Sequence, residues 1–153
     1  MIKITPKFLE EFVKTSLEIH ENIIFTSGGL SGVKNIGLLE SAISSVVYYE
    51  YFEAQLSNIV FSVAKNHAFI DGNKRSSIAI GAAFLSIGGY SSRIIGKFID
   101  DMEDIILMLV CGYINKDELT EFISLIVNEL PFYEELQLKW IEAKNKVDEF
   151  YNY

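Results

Sequence analysis

The amino-acid sequence predicts an all-α domain, and three observations carry that prediction. Apolar residues recur every three or four positions along most of the chain, which is the spacing of one helix face. The two prolines, Pro6 and Pro131, both stand where a helix can begin, leaving the interior free for long helices. No set of alternating apolar and polar segments could build a sheet. Arg93-Ile94-Ile95 is the one stretch that could pair briefly as extended chain.

Taken in order, Thr5-Pro6 reads as an N-cap with proline at the first helical position, and Leu9, Phe12, Val13, Leu17 and Ile24 follow at helical spacing. The segment 27–37 holds four glycines and reads as a loop with several positions free to take positive φ. Leu38 to Tyr49 is helical again, with Leu39, Ile43, Val46 and Val47 on one side. A helix from about Glu53 to Lys65 is interrupted at Asp71-Gly72-Asn73. A second runs from Lys74 to Ile87 and stops at Gly88-Gly89. Lys97 to Val110 and Asn115 to Leu130 form two more, the latter opened by Asn115 and Glu118 at capping-box spacing. After Pro131, Tyr133, Leu136, Trp140, Ala143, Val147 and Tyr151 mark an amphipathic helix. The chain reads as one domain over residues 1–130 with a helical extension of that domain over 131–153.

The composition narrows the function. The 153 residues include 13 Lys plus Arg and 21 Asp plus Glu, a net charge of −8, which repels polyanions and argues against nucleic acid as a general partner. A local anion site remains open, because a few N–H groups and one arginine can hold a phosphate inside an acidic protein. The lone cysteine, Cys111, cannot form an internal disulfide, which fits a reducing cytoplasm, and its apolar surroundings read as core. The most apolar stretch, Ile105 to Ile114, is too short to span a bilayer, which needs roughly 20 residues.

Polar chemistry concentrates in Asn66-His67-Ala68-Phe69-Ile70-Asp71-Gly72-Asn73-Lys74-Arg75, between two apolar helices. His67 can take a proton near neutral pH. Asp71 is a hard oxygen ligand suited to Mg²⁺. Gly72 and Asn73 tolerate unusual backbone angles and can turn successive N–H groups toward an anion. The helix beginning near Lys74 points its positive end at the same place, and Lys74 and Arg75 add full charges. The set suits transfer from a nucleotide to a hydroxyl. The same composition also suits a solvated turn between helices, and a lone histidine is more often structural than catalytic.

The stretch from His67 to Arg75 resembles the signature of the Fic/Doc family, His-x-Phe-x-Asp/Glu-Gly/Ala-Asn-x-Arg. Two flanking blocks are similar to Doc-like proteins as well: residues 28–33 followed by 37–42, and residues 84–89. The resemblance covers roughly residues 3 to 130. It implies a compact helical bundle with the active-site loop between two central helices. It also implies ATP and Mg²⁺ as cofactors and a hydroxyl of another protein as acceptor. By that resemblance His67 is the general base, Asp71 holds Mg²⁺, and Gly72, Asn73, Lys74 and Arg75 hold phosphate. Phe69 anchors the loop, and the segment 27–37 lies beside the site where the target is positioned.

Two departures bear on the reaction. The AMP-transferring branch usually has glycine where Lys74 stands and a second arginine where Ile78 stands. Lys74 and the missing arginine match the Doc branch, whose members resemble protein kinases and are toxins restrained by a Phd-like antitoxin acting in trans. The target implied for that branch is elongation factor Tu. Gly72 matches the AMP-transferring branch instead, so AMP transfer stays open, as does an inactive helical binding module. Some family members carry an inhibitory helix with a Ser/Thr-x-x-x-Glu-Gly/Asn motif. Ser16 to Glu21-Asn22 is one residue too long for it.

Three further features invite a reading. His20, one turn from Leu17 and Ile24, reads as a satisfied structural histidine. The cluster Tyr48-Tyr49-Glu50-Tyr51-Phe52 reads as core and helix-end packing, or else as a wall of the nucleotide pocket. The helix after Pro131 packs on the core, or else docks an antitoxin or a second copy of the chain in a homo-oligomer.

Overall fold

A computed structural model describes residues 2–152. Seven α-helices follow one another: α1 (Pro6–Ser27), α2 (Ile36–Ser44), α3 (Phe52–Asn66), α4 (Asn73–Ile87), α5 (Ser92–Val110), α6 (Lys116–Val127) and α7 (Glu134–Tyr151). A 3₁₀ turn at Ser45–Tyr48 links α2 to α3. The fold is all-α. Among the described residues the only extended pairing is a single antiparallel bridge between Val33 and Phe69.

The caps explain where the chain starts its helices. Thr5 accepts the Phe8 N–H with Pro6 at the first position of α1, and Asn115 and Glu118 form the reciprocal capping box of α6. Asn35 caps α2, so that helix begins ahead of Gly37. Ser91 caps α5 through the Ile94 N–H, which starts the helix five residues before Lys97. Arg93-Ile94-Ile95 is therefore helical, not extended: Ile94 and Ile95 continue the apolar face of Phe98, Met102, Ile105, Ile106 and Leu109. A cap of this kind is worth about 1 kcal/mol, enough to override the weak strand preference of two isoleucines.

The hairpin of α3 and α4 is the centre of the molecule. The α3 helix packs on α2, α4 and α6, while α4 packs on α1, α3 and α5. At Gly81 of α4 a Cβ would come within 2.9 Å of Val60 and 3.0 Å of Phe98, so the glycine leaves room there for the side chains of α3 and α5. At the other end of the hairpin Phe12, Phe52, Phe84 and Tyr90 stack in a continuous aromatic row. The hairpin is thus clamped near its base, and its turn, at residues 67–72, is shaped by loop chemistry.

The tyrosine cluster splits. Tyr49 is half-buried and shares Asn58 and the Lys116 ammonium, at 3.1 and 3.0 Å, tying the 3₁₀ turn to α3 and α6. Tyr48 and Tyr51 face solvent, 85% and 67% exposed; Tyr48 ends the 3₁₀ turn and Tyr51 is the extended residue just before α3. Cys111 is half-buried at the end of α5, at the edge of the core rather than inside it. In α7, Leu136, Ala143 and Val147 join the common core and Trp140 packs against it, with Lys144 reaching Asp104 of α5 at 3.1 Å. Tyr133 and Tyr151, at the ends of that row, are exposed. Among the described residues no helix is long and apolar enough to cross a membrane.

Candidate active site

The turn of the hairpin is set by two left-handed residues. His67 closes α3 at φ 53°, ψ 51°, and Gly72 opens α4 at φ 76°. A left-handed residue other than glycine costs about 1–2 kcal/mol, so the chain holds His67 there against its own preference. The five residues between His67 and Asn73 form a tight loop. Asn73 holds it shut: its side-chain oxygen accepts the Phe69 N–H at 3.1 Å and its amide donates to the Phe69 carbonyl at 3.0 Å. Phe69 is buried with its ring stacked on His20, centroids 3.8 Å apart. The His20 Nε2 in turn donates to the Asp71 carbonyl at 2.7 Å.

The glycine loop ahead of α2 lies along this loop. The Ala68 carbonyl accepts the N–H groups of Lys34 and Asn35, at 2.8 and 3.0 Å, and the Ile70 N–H donates to Gly32 at 3.1 Å. Arg75 Nη1 donates to the Gly28 carbonyl at 3.0 Å, and the Leu30 N–H donates to Asp71 Oδ2 at 3.1 Å. Gly29 sits at φ 120°, where a Cβ would come within 2.6 Å of Asp71 Oδ2 and 3.2 Å of Arg75 Nη2. The glycines at this point permit both the backbone angle and the close approach.

These contacts surround a cavity of about 480 Å³ lined by Ala64, Lys65, His67, Ile70, the run from Asp71 to Arg75, and Val110. His67 presents an exposed imidazole to it. No side chain caps α4, so the first-turn N–H groups at Asn73, Lys74 and Arg75 form a positive helix end without a partner of that kind. Lys74 is exposed at the rim, and among the described residues its ammonium has no ion-pair partner. The tyrosines of the 48–51 segment do not line this cavity.

Asp71 is half-buried and its oxygens are oriented by two backbone donors, Leu30 and Gly72. Those bonds, Leu30 first and Gly72 second, hold its carboxyl below the ordinary 3.8, and the Arg75 and Lys74 charges add to the effect against a partial desolvation. Each oxygen accepts one N–H and keeps lone-pair capacity. Among the described residues there is no cluster of three His, Cys, Asp or Glu side chains able to cage a metal. A single ionised carboxylate beside an anion-binding helix end fits Mg²⁺, which is held by one or two carboxylates plus substrate phosphates, and does not fit an all-protein metal cage.

His67, Asp71, Gly72, Asn73, Lys74 and Arg75, the residues given a chemical part in the sequence, border one cavity, while Phe69 is buried outside its lining. The Asn73 side chain is spent on Phe69, so its backbone N–H is what it has left to offer an anion. Lys65, Ala64 and Val110 were not legible as lining. Lys65 precedes His67 by two residues, in the last turn of α3, and Val110 ends α5. Neither ion pairing nor aromatic spacing along the chain points to these two.

Two comparisons with known proteins bear on this site. The model of the Fic/DOC family matches residues 11–85, which run from α1 through most of α4 and include the whole loop. Over 69 residues the chain is 36% identical to the protein named Toxin Doc of Mycolicibacterium smegmatis, strain ATCC 700084 / mc(2)155. That match covers 40% of this chain, and the chain spans about half, 53%, of that relative's length.

Proposed function

The chain belongs to the Fic/DOC family, and from that premise we propose that it transfers the terminal phosphate of ATP to a serine or threonine hydroxyl of a bacterial protein. One observation carries the proposal: a left-handed histidine, an oriented carboxylate and an uncapped helix N-terminus with two cations border a single cavity. His67 takes the proton of the target hydroxyl. The hydroxyl oxygen forms the new O–P bond, the bond to the bridging oxygen breaks, and ADP leaves. Asp71 holds Mg²⁺, which offsets phosphate charge when bound. The first-turn N–H groups of α4 and the Lys74 ammonium bind the phosphates, and Arg75 both braces the glycine loop and adds charge.

Lys74 in place of glycine and Ile78 in place of a second arginine favour phosphate over AMP transfer, since the second guanidinium would be a bidentate clamp. Gly72 had favoured AMP transfer. A Cβ there would meet Arg75 at 3.3 Å, Ile24 at 3.3 Å and His20 at 3.7 Å, so backbone angle and packing also suit a glycine, whichever group is transferred. The likeness to a protein named Toxin Doc supports a toxin of the Doc branch. The same reading takes the cytoplasm as its compartment, elongation factor Tu as its target and a Phd-like antitoxin as its restraint in trans.

The test is an intact-mass measurement. The protein is incubated with Mg-ATP and elongation factor Tu, with a bacterial lysate in parallel and His67→Ala as control. A phosphate-sized gain on a protein that depends on His67 is the expected result. An AMP-sized gain moves the protein to the AMP-transferring branch. No gain on any protein makes an inactive or partner-restrained site the better account.

A further inference from the structure

We propose that His20 is a positioning residue for the reaction, acting through the main chain of Asp71. The inference rests on the phosphate-transfer reading for its functional consequence, and on geometry for the rest. His20 is 1% exposed in the third turn from the end of α1, far in sequence from the loop it touches. It makes two unlike contacts there. Its ring lies flat on Phe69, 4° from parallel. Its Nε2 is 2.7 Å from the Asp71 carbonyl. A carbonyl only accepts, so Nε2 carries the hydrogen, which fixes the tautomer and leaves Nδ1 toward Glu21, 3.9 Å away.

The bond is made at the residue whose neighbour begins the left-handed step into α4. The peptide after Asp71 joins its carbonyl to the Gly72 N–H, and that N–H donates to Asp71 Oδ1 at 2.8 Å. Fixing the carbonyl therefore fixes the plane of this peptide, the direction of the Gly72 N–H, and with them the carboxylate and the entry of α4. The ring stack alone would hold Phe69 in place; it would not orient the Asp71–Gly72 peptide. The two contacts are separable by substitution. Phenylalanine keeps an aromatic face and deletes the donor. Glutamine deletes the ring and places an amide N–H at nearly the reach of Nε2.

The experiment compares His20→Phe and His20→Gln in the full chain. Backbone amide resonances of Gly72, Asn73 and Lys74 are read first, without nucleotide. They are expected to move or broaden in His20→Phe and to stay near their native positions in His20→Gln. Mg-ATP affinity, by calorimetry, is expected to fall about tenfold in His20→Phe and to stay within about threefold in His20→Gln. Unmoved amides in His20→Phe, or two variants that behave alike, overturn the proposal. Should either variant fail to fold, the wild type answers: with only two histidines, its ¹⁵N spectrum must show one in the Nε2–H form with a slowly exchanging proton, and its absence overturns the assignment. A wild type that binds no ATP sinks the phosphate-transfer reading, while the amides still decide the positioning claim.

Discussion

Among the described residues, two that are not glycine hold a left-handed backbone: His67 at φ 53°, after α3, and Glu129 at φ 55°, after α6. At Glu129 the conformation ends a helix. Its N–H returns to the Ile126 carbonyl at 3.1 Å and the Leu130 N–H to Leu125 at 2.9 Å, the paired bonds of a Schellman motif. Gly89 and Gly112 close α4 and α5 with the same pair. At His67 no such return bond forms among the described residues. The chain instead leaves the helix at once, and the next carbonyl, of Ala68, is given to Lys34 and Asn35 of the glycine loop. The same backbone angle closes a helix on itself in one place and opens a helix onto a cavity in the other. Strain that completes a helix needs no other cause, whereas strain held by contacts from a distant loop points to the side chain it delivers.

The largest expected effect separates these two turns. Removing the imidazole in His67→Ala is expected to lower transfer by roughly 10²–10⁴-fold, the usual contribution of a general base, measured by the rate of the intact-mass shift. His67→Gly is expected to lose transfer equally while stability holds or rises by about 1 kcal/mol, because glycine relieves the left-handed strain. Glu129→Gly should leave transfer unchanged and stability within about 1 kcal/mol, strain relief being offset by loss of the exposed pair with Arg93. Equal transfer in the two glycine variants would break the comparison.

Next in size is the staple that keeps the first turn open. Asn73→Ala removes both bonds to the buried Phe69 backbone and leaves a donor and an acceptor without partners. A loss of about 3 kcal/mol in unfolding free energy is expected, measured by urea titration. A loss below about 1 kcal/mol would mean that the stack of Phe69 on His20, not Asn73, holds the loop.

Much of this organisation was legible in the sequence. Helical spacing, two boundary prolines and the capping box of Asn115 marked the helices, and the polar residue types from His67 to Arg75 marked the candidate site, where they line one cavity. Three things were not legible, for separate physical reasons. The start of α5 depended on a serine cap at Ser91, a weak local signal beside two β-branched residues. The exposure of Tyr48 depended on a 3₁₀ turn that changes which way successive side chains point. The bonds from His20 and Leu30 to Asp71 join positions 51 and 41 residues apart, a separation to which periodicity is blind.

Smaller effects test the link between the glycine loop and the carboxylate. Gly28→Ala and Gly29→Ala carry similar backbone strain, at φ 85° and 120°. Gly28 faces open space, whereas a Cβ at Gly29 meets Asp71. Both variants are expected to lose about 1–2 kcal/mol in stability. Only Gly29→Ala should also weaken Mg-ATP binding, by about tenfold, as read by calorimetry. Equal binding by both would show that Asp71 tolerates displacement and that the loop positions something else.

The smallest effect is an acid one, and its direction follows from the same bonds. The Leu30 and Gly72 N–H groups favour the ionised form of Asp71, so its pKa is lower in the folded chain than the 3.8 of the free group. A depressed carboxyl contributes stability that is fully present above the unfolded value and is lost as pH falls through the folded one. Melting temperatures of wild type and Asp71→Asn, taken from pH 6 down to pH 2, should therefore run parallel above about pH 4. Below it the wild type should fall more steeply, since only it must protonate a carboxylate that two backbone donors hold ionised. Parallel curves throughout would mean that the glycine loop leaves Asp71 in solution, and that in the absence of a ligand the loop is not closed over the turn that His67 opens.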